Sequence, residues 1–140
     1  MTLLQLTYIS RATERFSARD LPELVAAAQE HNDTIRVTGA LYFADGRFIQ
    51  VLEGDEEAVL TLYAAIVDDP RHTEVETVAR RIVTERCFGE WRMGKLPDGL
   101  AVRAAREAFR VSRTPGAMWG DAEVDAILDE FRARLVTAGS

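Results

Sequence analysis

At 140 residues, with 23 acidic against 17 basic side chains and a formal charge of -6, the chain fits one domain able to bury well over half of its unfolded surface, and its acidity excludes the basic stripe that draws nucleic acid. Cys87 is the only cysteine, which rules out an intramolecular disulfide and leaves one chain unable to build a thiolate zinc cage or a redox pair. The opening Met1-Thr2-Leu3-Leu4-Gln5-Leu6 has no charged n-region or cleavage pattern, and no apolar run nears the ~20 residues of a membrane helix, so a cytoplasmic protein with no membrane partner is expected.

The alternation of Leu4, Leu6 and Tyr8 predicts a first strand over Leu3 to Ser10, with Tyr8 pointing into a core. Asp20-Leu21-Pro22-Glu23 joins a capping aspartate, an early proline and a glutamate at the capping-box position, the start signals of a helix. Its stripe is Leu21, Leu24, Val25 and Ala28, and its end is expected near His31-Asn32-Asp33. Two apolar runs then flank Asp45-Gly46, a pair that supplies the positive-φ positions of a tight hairpin turn. In the second run Phe48, Gln50 and Leu52 share one face and Ile49 and Val51 the other, the pattern of a central strand that is apolar on both sides.

Asp55-Glu56-Glu57 place acid at a helix N-terminus, where the dipole favours it, and Val59, Leu62, Tyr63 and Ile66 recur at helical spacing until Asp68-Asp69-Pro70. Val75 to Arg86 reads as a strand and Glu90 to Leu96 as another, with Trp91 and Met93 on one side by two-residue spacing; Pro97-Asp98-Gly99 closes the unit. The order β-α-β-β-α-β with one extra strand is the ferredoxin-like α+β pattern, a mixed sheet with two helices on one face. The first and third strands are expected to be parallel neighbours, which brings Tyr8 close to Gln50.

Beyond that unit, Leu100, Ala104, Ala108 and Val111 share one face of a short helix, broken by Arg113-Thr114-Pro115-Gly116. Asp121 is expected to cap a last helix whose stripe is Val124, Ile127, Leu128, Phe131 and Leu135. One short helix cannot bury that stripe unaided, and the open sheet face is the expected cover. No repeat or linker divides the chain.

A buried Gln50 carries two amide protons and two lone pairs that need partners. Taken alone, Gln50 is most simply a satisfied core amide and Tyr8 a packed ring with a bonded hydroxyl. Together with Asn32 they form a set of neutral donors and acceptors within apolar walls, suited to a planar heterocycle with carbonyls and ring nitrogens. No serine or cysteine nucleophile has a base beside it, and no paired acids of glycosidase type are present. His31 and His72 are too scattered for a metal cluster and are expected on the surface. Cys87 reads as an apolar filler, Arg80, Arg81 and Arg86 as a solvated sheet edge, and Arg71 as an exposed loop charge that could meet a phosphate. Gly39, Gly46 and Gly54 lack P-loop spacing.

Tyr8-Ile9-Ser10-Arg11-Ala12, His31-Asn32, Thr38-Gly39-Ala40-Leu41, Phe48-Ile49-Gln50-Val51-Leu52-Glu53-Gly54 and Phe88-Gly89-Glu90-Trp91-Arg92-Met93-Gly94 together resemble the BLUF domain, the blue-light sensor that uses FAD. The resemblance spans residues 1–97 and leaves 98–140 as a C-terminal helical extension with no separate effector domain. It implies a ferredoxin-like photoreceptor, not an enzyme, holding a flavin non-covalently between its two helices. Tyr8 matches the tyrosine that gives an electron and a proton to the excited flavin, and Gln50 the amide whose hydrogen bonds then rearrange. Trp91 and Met93 match the pair that carries the change toward the last strand. By the same resemblance Asn32 binds the ring's carbonyl side with His31 beside it, Leu24 and Phe48 wall the ring, and Asp69 and Arg71 complete the cofactor-binding set. FAD is the implied cofactor, with FMN or riboflavin as alternatives, and the implied partner is a separate downstream protein or a second copy of the chain. Two other readings stand beside it. One is a light-independent ferredoxin-like interaction module in which Tyr8 and Gln50 satisfy each other. The other is an acyl-phosphate hydrolase, which would want an anion-cradling loop where Thr13-Glu14-Arg15 stands.

Overall fold

The computed structural model describes residues 2–96 and 118–138; the predicted helix of Leu100 to Val111 and the turns flanking it lie outside the described residues. The strands are β1 (Leu3–Ala12), β2 (Thr38–Ala44), β3 (Arg47–Gly54), β4 (His72–Val83) and β5 (Gly94–Lys95). The helices are α1 (Leu21–Ile35), α2 (Glu56–Val67) and α3 (Asp121–Ala138), with one 3-10 turn (Ala18–Asp20) ahead of α1. The sheet order is β4-β1-β3-β2-β5. Leu4, Leu6, Tyr8, Phe48 and Leu52 bury one face against Leu21 and Val25 of α1 and Val59 of α2. Ile9, Ala40, Tyr42, Ile49 and Val51 bury the other against Val124, Ile127, Leu128, Phe131 and Leu135 of α3. The last helix therefore covers the open sheet face, as its stripe requires.

The hairpin between β2 and β3 turns on Asp45 at φ 52 and Gly46 at φ 74, the two positive-φ positions of a primed turn. The strand directions correct the sequence reading. β1 and β3 are antiparallel, with Tyr8 opposite Gln50 and Leu6 opposite Leu52. The crossover through α1 sets β2 parallel to β1 with a one-strand gap between them, and the tight hairpin then reverses β3 into that gap, so β3 opposes both neighbours. Among the described residues only β5 pairs in parallel, on β2 at Ala40 and Leu41. The expected closeness of Tyr8 and Gln50 holds because residues opposite each other share a face whichever way the strands run.

α1 runs through His31-Asn32-Asp33, where neither glycine nor proline interrupts it, and ends only when Arg36 enters the left-handed region at φ 57. Asp20 sits at its N-cap without a side-chain bond there; its carboxylate instead accepts from Ser17 N at 2.9 Å and Ser17 Oγ at 3.3 Å and closes the 3-10 turn. In α3 Asp121 is the first helical residue and not the cap. The Gly120 carbonyl accepts from Val124 N, while the Gly120 N–H donates to Glu123 Oε1 at 3.1 Å, half of a capping box.

Glu90 to Leu96 is not one strand. Trp91 N donates to Phe88 O at 2.9 Å in a turn, and extended structure starts only at Gly94. Trp91 and Met93 therefore fall on opposite sides of the sheet, Met93 with Tyr8 and Phe48, Trp91 against the α3 cluster. Of the arginines expected at a solvated edge, only Arg80 is exposed. Arg81 donates to Gln5 Oε1, and Arg86 to Thr38 Oγ1 and Glu53 O.

On the α3 side, Thr7 is buried at 1% exposure, and its Oγ1 has no partner among the described residues. A buried hydroxyl left unbonded costs about 1–3 kcal/mol, so Thr7→Val, which keeps the shape and suits a strand, is expected to stabilise the fold. A gain of about 1 kcal/mol corresponds to a rise of roughly 3–5 °C in a domain of this size. Thermal unfolding checks it, and a lower midpoint would show that the hydroxyl is satisfied.

Candidate functional site

Between α1 and α2 a slot opens over the middle of the sheet, a cavity of about 260 Å³. Small side chains make it: Ala27 and Ala28 on α1 face Ala65 on α2, where larger residues would close the gap. Leu24, Leu62 and Ile66 supply apolar walls, and Tyr8, Leu41 and Gln50 form the sheet side. His31 and Asn32 lie along the end of α1, and Asp69, Arg71 and His72 line the opposite chain.

Tyr8 is fully buried and its hydroxyl donates to Gln50 Oε1. Burial, reinforced by Tyr63 and Asp69, holds that phenol far above its ordinary range, so the proton stays on the oxygen. The Tyr8 ring packs at 5.4 Å on Tyr63, whose hydroxyl accepts from Thr77 Oγ1 at 2.8 Å. Gln50 turns its Nε2 to Met93 Sδ at 3.3 Å. A thioether is a weak acceptor, so the amide is held firmly at its oxygen and loosely at its nitrogen. The Asn32 Nδ2 donates to Arg92 O at 2.9 Å, and Gln29 Nε2 donates to Met93 O at 2.9 Å. Both helix amides thus grip the segment entering β5.

Arg71 Nε reaches Asp69 Oδ1 and Oδ2 at 3.0 Å each, with Nη2 on Oδ2. That hydrogen bonding lowers the Asp69 carboxyl and raises the Arg71 guanidinium, so the pair is fully ionised at neutral pH. His72, expected on the surface, is half-buried, with its ring 4.7 Å from Phe48 and Nδ1 3.1 Å from Ser10 Oγ. Burial lowers its pKa and keeps the imidazole neutral.

Of the residues singled out in the sequence, Tyr8, Leu24, His31, Asn32, Gln50, Asp69 and Arg71 line this one cavity. Phe48 lies beneath it, packed on Phe16 and Phe43. Met93 touches the site through Gln50, and Trp91 is on the far face. Ala28, Leu62 and Ile66 are read in the sequence only as helix stripes, Leu41 only within a strand motif and His72 only as a surface position, and none of them, nor Ala27 or Ala65, is assigned to the site there; the pairs Ala27-Ala28 and Ala64-Ala65 on facing helices were the available signal. Among the described residues no cluster of His, Cys, Asp and Glu could hold a metal ion, and no helix is long and apolar enough to cross a membrane.

Because Trp91 stands beside Gly94 and Leu135 on the α3 side, Trp91→Phe is expected to leave ligand uptake unchanged. Equilibrium binding on the purified variant checks this, and loss of binding would assign the indole to the pocket wall.

A slot with apolar walls, neutral amides, a phenol and one ion pair orients a flat heteroaromatic ring and excludes water from it. The family model for sensors of blue-light using FAD matches residues 3–94. The chain belongs to this BLUF family, and residues 3–94 are a blue-light flavin sensor domain. It is 43% identical over 91 residues to the photoactivated adenylate cyclase subunit beta of Euglena longa, a match covering 64% of this chain and 11% of that protein. The chain thus spans about a tenth of the length of that relative. Among solved structures, the dark state of the BLUF protein BlrB is 26% identical with a TM-score of 0.78, covering 94% of this chain and 96% of that one. Klebsiella pneumoniae BlrP1 with FMN and cyclic diGMP is 32% identical with a TM-score of 0.69, covering 94% of this chain and 34% of that one.

Proposed function

We propose that this sensor works through Tyr8 and Gln50 and passes its signal by way of α3 to a separate protein, with residues 1–97 as the photosensor and 98–140 as its helical extension. The observation that carries the proposal is the chain Tyr8 Oη to Gln50 Oε1 and Gln50 Nε2 to Met93 Sδ, running from the cavity wall to the segment that leads into β5. A bound flavin supplies blue-light absorption and an excited state that accepts an electron. Asn32, Leu24 and His31 would hold and orient its ring, and the ion pair of Asp69 and Arg71 would face the polar chain beyond it. The pocket takes FAD, with FMN as an acceptable substitute.

Tyr8 Oη holds its proton against Gln50 Oε1, so a phenol that loses an electron, and with it most of its basicity, hands that proton toward the amide. Gln50 then has a donor and an acceptor changed at one end and only a weak sulfur bond at the other. Turning or rebonding the amide therefore costs little on the Met93 side, while any partner it gains or loses in a dry pocket is felt strongly. Met93 and the backbone that carries it are the first groups to register the change.

The protein is expected to purify yellow and to show a small red shift of its flavin absorption after blue light. Its flavin should be released on denaturation, since Cys87 lies on the other face of the sheet. Absorption spectra before and after illumination test this; colourless protein that takes up no added FAD would overturn it.

A further inference from the structure

Glu53 is completely buried, three residues beyond Gln50 on the same strand but facing α3. Its Oε2 accepts from Gln5 Nε2 at 2.9 Å and from Cys87 N at 2.7 Å. Its Oε1 accepts from Phe88 N at 2.8 Å and from Thr38 Oγ1 at 3.2 Å. Each oxygen is joined to an arginine through a neutral intermediary. Gln5 Oε1 accepts from Arg81 Nε at 3.1 Å and Nη2 at 2.8 Å. Thr38 Oγ1 accepts from Arg86 Nη1 at 2.9 Å. Arg81 Nη1 then reaches Asp125 Oδ1 on α3 at 2.8 Å.

We propose that Glu53 is a positioning residue for the light response: its carboxylate fixes the Cys87-Phe88 turn to the Gln50 strand, and Gln5 and Arg81 carry a displacement of that strand to Asp125 on α3. The inference rests on the photosensor reading above. Gln5 is 3% exposed and cannot turn over, because a reversed amide would set its carbonyl against a carboxylate and its NH₂ against a guanidinium. The chain Glu53–Gln5–Arg81–Asp125 therefore has one polarity. Apolar side chains between the sheet and α3 can slide over one another; a directed chain of hydrogen bonds, buried at Glu53 and Gln5 and reaching the surface at the Arg81–Asp125 pair, transmits small shifts more stiffly. Demonstrating such a route requires measured coupling and not contact alone.

The test compares hydrogen exchange over residues 121–135 in dark and illuminated flavin-loaded protein. Arg81→Met and Asp125→Ala sit away from the cavity and are expected to keep flavin uptake and the red shift. Each should reduce the light–dark exchange difference several-fold, and the double variant no further than either alone. Glu53→Gln, which puts an NH₂ donor at one of the two positions that now accept, should keep the red shift and change its dark recovery rate several-fold. A Glu53 that merely holds the fold would lower the melting temperature and leave both the rate and the exchange difference unchanged, overturning the proposal. So would a full light–dark difference in Arg81→Met and Asp125→Ala, or none in the parent protein, with the red shift intact. If Glu53→Gln does not fold, the other two variants decide. Absence of a red shift in the parent would instead strike the photosensor reading itself.

Discussion

Tyr8→Phe is expected to bind flavin and lose the light-induced red shift entirely. The substitution removes one oxygen and keeps the ring, so the packing on Tyr63 at 5.4 Å and the shape of the slot persist. What disappears is the proton at Oη and the donor to Gln50 Oε1. The orphaned carbonyl costs about 1–3 kcal/mol, a fraction of the ~5–15 kcal/mol that holds a domain of this kind together. Stability should therefore fall by several degrees while function falls to nothing. Gln50→Leu makes the complementary cut, leaving Tyr8 its hydroxyl and removing the amide that answers it, and should also bind flavin without a red shift. Difference spectra under saturating blue light decide both, and a normal yield of shifted product in either variant would remove that residue from the photochemistry.

Gly39→Ala is expected to destroy the fold. A Cβ at this position would stand 1.9 Å from Val51 O and 2.9 Å from Val51 C, backbone atoms of the strand that carries Gln50. No rotamer relieves that clash, so β2 would have to part from β3, and the Gly39 N–H to Trp91 O bond at 3.0 Å would go with it. A loss above about 4 kcal/mol, the range reserved for broken backbone or core features, should leave insoluble or flavin-free protein. Gly89→Ala serves as the control, because the nearest atoms there are Arg86 side-chain carbons at 3.5 and 3.9 Å. Denaturant unfolding of the two variants should separate them widely; a folded, flavin-loaded Gly39→Ala would show that the two strands can move apart at small cost.

What the sequence made legible is what short-range chemistry fixes. Asp45-Gly46 specifies its hairpin within a few residues, the stripe on α3 declares that a face needs cover, and a glutamine amid Phe48 and Leu52 announces a buried polar function. Strand direction was misread because it depends on following α1 over the sheet and then reversing at the hairpin, not on any residue. Trp91 and Met93 were misplaced for a related reason: the turn that leads into Trp91 is held by Glu53, 34 residues from Cys87 in the chain, and no local pattern reports such a partner. His72 owes its burial to Phe48 across the sheet. A single alanine of the slot carries no signal, since a residue chosen for what it does not fill looks like an ordinary helix former; only the pairs Ala27-Ala28 and Ala64-Ala65 on the two helices hint at a gap.

Among the described residues β5 is two residues long and pairs with β2 alone, whereas β1 has long ladders on both sides. Its approach is held by the side-chain amides of Gln29 and Asn32, by the Gly39 N–H on Trp91 O and by the exposed Arg92–Asp33 pair. So short a ladder is expected to open at a smaller fraction of the global unfolding free energy than the central ladders. Asn32 belongs to both the slot and this attachment, lining the cavity while its Nδ2 donates to Arg92 O, so a ring that reoriented the amide would disturb that bond. Occupancy of the slot and the docking of β5 would then be thermodynamically linked, each shifting the other's equilibrium by the same factor.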